Sequence, residues 1–115
     1  MGNMGNAGTK RETEKPDHLV EINVDPLTGK LTYGGAGKEF HAKPKETIQW
    51  RYEGGEFVVF FHTRPGSPFG AQKELRGSRG SPAEGVVSSV GDFHYSVVVC
   101  DKGRIYIDDP QVIIP

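Results

Sequence analysis

The chain has 115 residues, with 14 Lys plus Arg against 15 Asp plus Glu and a formal net charge of −1. That length points to one domain, and the charge balance supplies no global field to draw in nucleic acid or an anionic membrane. Gly 16 and Pro 8 make up about a fifth of the chain, which excludes a helical bundle, and the lone Cys100 excludes an internal disulfide and a Cys-x-x-Cys zinc or redox site.

Residues 1–17 contain only Met1, Met4 and Ala7 as hydrophobes. They are expected to form a disordered tail, because nothing in them offsets the entropy of ordering. The opening Met-Gly-Asn begins like a myristoylation site but has Asn6 where Ser or Thr is wanted. No run of about 18 apolar residues offers a membrane span, and the apolar stretch of a signal peptide is missing. A cytoplasmic setting fits this cysteine usage, and a secreted domain without disulfides fits it too.

The expected domain covers 18–115. His18 to Val24 alternates, with Val20, Ile22 and Val24 on one face. Asp25-Pro26-Leu27-Thr28-Gly29 reads as a turn with Pro at its second position. Lys30 to Tyr33 is a short strand, Gly34 to Gly37 a loop, and Glu39 to Ala42 an extended edge piece. Thr47 to Tyr52 is the clearest strand, with Ile48, Trp50 and Tyr52 inward. Phe57 to Phe61 is apolar on both faces, the pattern of a central strand with both sides covered. Residues 63–85 read as a long Gly, Pro and Ser-rich connection in which only 69–76 could make a helical turn. Strand character returns over 84–90, 93–100, 104–107 and 111–114. Seven or eight short strands at this spacing predict an all-β sandwich or barrel, with Trp50, Val59, Phe61, Val97 and Val99 in the core.

Three pieces then resemble the cupredoxins. Lys43-Pro44-Lys45-Glu46-Thr47-Ile48-Gln49-Trp50 is similar to their tryptophan-bearing strand. Glu56-Phe57-Val58-Val59-Phe60 is similar to the strand after it, and Gly91-Asp92-Phe93-His94-Tyr95-Ser96-Val97 to the strand that leads into the copper loop. The resemblance covers about residues 43–115 and implies a Greek-key β-sandwich. It also implies a departure in function. A type-1 copper site takes one His from the earlier strand, then Cys, His and usually Met from the last loop. Here the first His position falls on Glu56, and no His or Met follows Cys100. The resemblance thus implies the fold without the copper, and no cofactor is nominated.

Other constellations stay incomplete. Gly34 to Lys38 lacks the spacing, hydroxyl and helix of a phosphate loop. A Ser-His-Asp set could be drawn from Ser88, Ser89, Ser96, His94 and Asp92, without a nucleophile elbow. Asp101, Asp108 and Asp109 supply too few oxygens for a calcium cage. Cys100 reads as a buried thiol.

Two functions remain. The first is a non-catalytic binding or accessory module that recognises a protein. Its surface is the 63–85 loop, which projects Arg64, Pro65, Pro68, Phe69, Lys73, Arg76 and Arg79 from one end of the sandwich. The basic residues there are of the kind that contact phosphate backbones, set against a plain solvated loop. The second is a metal-binding or redox protein with a remodelled site made of Cys100 with His62 or His94. On a straight strand His94 and Cys100 lie about 20 Å apart, which leaves His62 beside Cys100 as the open arrangement.

Overall fold

The computed structural model describes residues 15–62 and 66–114. Among them lie ten strands and no helix: β1 (His18–Val24), β2 (Leu31–Gly35), β3 (Glu39–His41), β4 (Thr47–Arg51), β5 (Glu56–Phe61), β6 (Glu74–Gly77), β7 (Ala83–Val86), β8 (Gly91–Asp101), β9 (Arg104–Asp108) and β10 (Gln111–Ile114). They form two mixed sheets. The smaller runs β2-β1-β4-β7 and the larger β3-β10-β8-β5-β6, with β9 also paired to β8. The fold is therefore the all-β sandwich that the alternation predicts.

The strands number ten among the described residues, against the seven or eight expected, and two elements differ from expectation. The 69–76 stretch makes no helical turn: Glu74–Gly77 is β6, paired antiparallel to β5 with Leu75 opposite Val59. Leu75 has a buried place waiting beside a strand far more apolar than itself, and tertiary pairing overrides the local pattern. The second difference is the coverage of β5. Phe57, Val59 and Phe61 are buried, but Phe60 is 44% exposed. β5 is central in its sheet, yet only its inner face is covered.

The β1–β2 turn forms as its residues dictate. Asp25 accepts from the Leu27 N–H through its carboxylate at 2.9 Å, and Gly29 takes a φ of 73°. At the end of β2, Gly35 (φ 69°) sits so close to β1 that a Cβ would lie 2.2 Å from the Leu19 carbonyl oxygen. A side chain is excluded there on two counts, conformation and space.

β8, β9 and β10 form one long hairpin. Asp101 faces Arg104 and Val97 faces Asp108; the same register continues to His94 facing Gln111. Asp109-Pro110 interrupts the second arm, because Pro has no N–H to give, although the Tyr95 N–H still donates to the Pro110 carbonyl at 3.2 Å.

The core lies between the sheets, and Trp50, Val59, Phe61, Val97 and Val99 are fully buried in it. The outer face of the smaller sheet is covered at its centre as well. Gln49 is buried there, donating to Glu84 at 2.8 Å and accepting from Arg51 at 2.7 Å. The expected tail lies outside the described residues as far as Glu14. Asp17, the last residue of the expected tail, belongs to the fold: its carboxylate accepts from the Thr47 N–H at 2.8 Å.

Candidate functional site

The outer face of the larger sheet is built by alternation. Leu75, Phe57, Val59, Val97 and Val99 point into the core, so their neighbours on β6, β5, β8 and β9 point to solvent. Cross-strand register sets these in rows. One row is Ile107, Val98, Val58 and Arg76; the next is Ile105, Cys100 and Glu56. On the other side Phe60 pairs with Ser96 and Glu74. Ile105 and Ile107 are 67% and 65% exposed. Phe60, Val58, Val98, Ile107 and Ile105 together form an apolar strip that faces water.

Beside this strip lies a groove of about 330 Å³, lined by Val58, Val98 and Cys100 with Glu56, Arg76 and the β6–β7 turn. Backbone bonds in both directions between Ser78 and Ser81, at 2.8 and 2.9 Å, hold that turn as a wall. At the base of this wall Gly77 leaves room on the inner face for the Phe57 ring, since a Cβ there would lie 2.4 Å from it. The volume falls at the lower end of the range for small-ligand or side-chain pockets.

Among the described residues, the loop candidates do not form one projecting surface. Arg64 and Pro65 lie outside the described residues. Phe69 turns inward and meets Trp50 and Phe61 edge to face, with centroids 6.0 and 5.5 Å apart. It fills the gap between the sheets, and Gly85 makes the room, because a Cβ there would lie 2.8 Å from the Phe69 ring. Pro68 is buried as well. Lys73 is exposed. Arg76 stands on the outer face and pairs with Glu74. Arg79 donates to the carbonyls of Glu53 and Gly54 at 2.8 and 3.4 Å, which ties it to the β4–β5 turn. The cations are thus dispersed over separate elements.

Cys100 is exposed, not buried. With Val97 and Val99 inward, alternation alone puts it outward. Its cross-strand neighbour is Glu56, so His62 does not lie beside it. The His62 N–H donates to the His94 carbonyl at 3.1 Å, and the two imidazoles stack with centroids 6.5 Å apart. His94 is six residues along β8 from Cys100, about 20 Å, and His62 lies level with His94. Among the described residues no group of three or more His, Cys, Asp or Glu is gathered to hold a metal ion. Asp108 accepts from the Tyr33 hydroxyl at 3.1 Å and pairs with Lys38.

His62, Ser96 and Asp109 do meet, but in an order unlike a nucleophilic triad. The Ser96 hydroxyl donates to the Asp109 carboxylate at 2.7 Å, and His62 Nε2 lies 3.1 Å from the same hydroxyl oxygen. A hydroxyl has one proton. With that proton given to Asp109, His62 acts as a donor and cannot serve as the base that a nucleophilic serine needs.

The apolar strip escapes sequence reasoning because Phe57–Phe61 and Val97–Val99 are apolar at both parities, a pattern that reads as double coverage. The available signal was Ile105 and Ile107, which flank Tyr106 at the parity opposite to the core. A comparison of the chain with protein-family models, curated proteins and solved structures finds no match.

Proposed function

We propose that this protein is a non-catalytic binding module on a cupredoxin-like, Greek-key sandwich without a copper centre, and that it recognises an extended apolar segment of a protein partner. The recognition surface is the outer face of the larger sheet, with the 74–81 part of the 63–85 segment as one wall. The observation that carries this reading is the solvent-facing strip Phe60, Val58, Val98, Ile107 and Ile105 alongside a groove that ends in Glu56 and Arg76. Contiguous exposed apolar surface with a polar rim is the usual mark of an interaction site. A rigid sheet presents it without an ordering cost on the receptor side.

The cupredoxin-like part of the reading draws support from register. Glu56, at the position of the first copper ligand in the resemblance, is the direct cross-strand partner of Cys100. The chain thus sets a carboxylate beside its thiol where copper would need an imidazole.

Selection of displayed peptides on the full chain, with the Val98→Glu variant as counter-target, tests the proposal. Apolar peptides that bind the native chain and lose at least tenfold in affinity on Val98→Glu are expected. Peptides that bind both equally would place recognition elsewhere.

A further inference from the structure

We infer that β9 is a self-pairing edge, across which a second copy of this chain adds an antiparallel strand centred on Tyr106. The inference rests on the backbone edge of β9 and not on the groove between β5 and β6, although the Ile105 and Ile107 side chains also belong to the apolar strip.

Among the described residues, β9 is hydrogen-bonded on one side only, to β8. Which of its backbone groups face outward follows from observed bonds. On the same arm, the Gln111 N–H donates away from β8 to the Lys38 carbonyl at 3.3 Å, and the Ile113 carbonyl accepts from the Ala42 N–H at 3.0 Å. The Tyr95–Pro110 bond shows that the intervening parity faces β8. Because the register is continuous from β10 to β9, the outward parity passes back through Asp109 to Ile107 and Ile105. The hairpin tip agrees. Lys102 and Gly103 both have positive φ, 52° and 76°, the two-residue turn whose flanking residues bond each other. Asp101 and Arg104 therefore face inward to one another, and Ile105 faces out.

β3 covers the outward groups of Gln111 and Ile113 and stops there. Ile105 and Ile107 keep theirs exposed. Arg104-Ile105-Tyr106-Ile107-Asp108 has no Pro, no Lys and no bulge to blunt this edge, and its two charges, Arg104 and Asp108, are of opposite sign. In the β6 edge Glu74 and Arg76 are paired with each other, and β3 has three residues.

The sequence of β9 is complementary to its own reverse. In an antiparallel pair about Tyr106, Arg104 of one copy faces Asp108 of the other, and Ile105 faces Ile107. The same contacts repeat across the two-fold axis. Both facing isoleucines carry their free N–H and C=O toward the partner strand, so each Ile105–Ile107 pair is of the hydrogen-bonded kind. Charge, side-chain type and backbone parity all select one register, and pairing one residue away would lose all three.

Sedimentation of the full chain over a range of concentrations tests this. The native chain should sediment at twice its 12.6 kDa. Ile107→Pro removes an outward donor while leaving the β8 ladder intact, and Arg104→Glu sets like charges opposite one another. Each should weaken dimerisation at least tenfold with an unchanged β-sheet circular dichroism spectrum. If Ile107→Pro does not fold, Arg104→Glu alone decides. A native chain that is monomeric at every concentration would overturn the inference. So would a dimer that survives Arg104→Glu, including one lost only in Val58→Glu, which would be face-to-face packing.

Discussion

Trp50 Nε1 donates to the Tyr95 hydroxyl at 3.3 Å in the middle of the core, and the two rings meet edge to face with centroids 5.6 Å apart. Trp50 belongs to the smaller sheet and Tyr95 to the larger, so one buried polar contact fixes how the layers face each other. Trp50→Ala should cost about 3–5 kcal/mol, as expected for a large buried aromatic. Tyr95→Phe leaves the indole N–H without this acceptor and should cost about 1–3 kcal/mol. Denaturant melts measure both, and a loss below about 1 kcal/mol for Trp50→Ala would contradict the packing described.

Three tyrosines resist ionisation. Burial raises Tyr95, against the opposing effect of the Trp50 bond. Burial, then the Asp108 carboxylate beside it, raises Tyr33. Tyr52 is pushed up to about 12, by burial first and Asp101 second. In the unfolded chain a phenol ionises near pH ~10. The stability these groups contribute is thus fully present below about pH 10 and is lost as pH rises toward their folded values. Phenolate absorbance should appear together with alkaline unfolding, and Tyr95→Phe should flatten that limb. Free ionisation of all three near pH ~10 in an intact fold would be the contrary result.

On the acid side, the Glu46 carboxyl is lowered by its bond to His18 and by the Lys43 N–H, at 2.7 and 2.8 Å. A depressed carboxylate contributes stability that is present above its unfolded value of about 4.3 and is lost as pH falls through the folded one. Glu46→Gln should therefore remove part of the acid-side loss. Because the pair is solvent-screened, the effect should stay below about 1 kcal/mol at neutral pH. An unaltered acid limb in equilibrium melts would show that the pair does not contribute.

The fold was legible because alternation is strong where it matters. Ile48, Trp50, Val97 and Val99 sit where period two puts them, and the β1–β2 turn follows from Asp25, Pro26 and Gly29. The surface was less legible. Phe69 looks like a projecting aromatic in a Gly-rich loop, and only the gap between Trp50 and Phe61 turns it inward. Val58 and Val98 look like a second buried face, and only the absence of a further layer among the described residues leaves them at the surface. The β5–β6 and β5–β8 pairs join residues 14 to 44 positions apart, a distance local pattern does not carry, so the rows that assemble the groove are not legible in the sequence.

Copper chemistry of the type-1 kind is not expected. Such a site needs a thiolate and two imidazoles in one plane, whereas Cys100 faces Glu56 and the His62–His94 pair lies about 20 Å along the strand. Titration with Cu(II) should give no intense thiolate-to-copper absorption. Stoichiometric coloured copper that disappears in Cys100→Ser would contradict this placement.

The most direct measurement is amide shift mapping of the isotope-labelled full chain with an apolar peptide recovered by selection on it. Binding at the outer face of the larger sheet predicts the largest changes at Val58, Arg76, Val98, Ile105 and Ile107, and little change at Gln49 or Glu84 on the opposite sheet. Changes centred on the smaller sheet, or on the β1–β2 turn at Leu27, would contradict it.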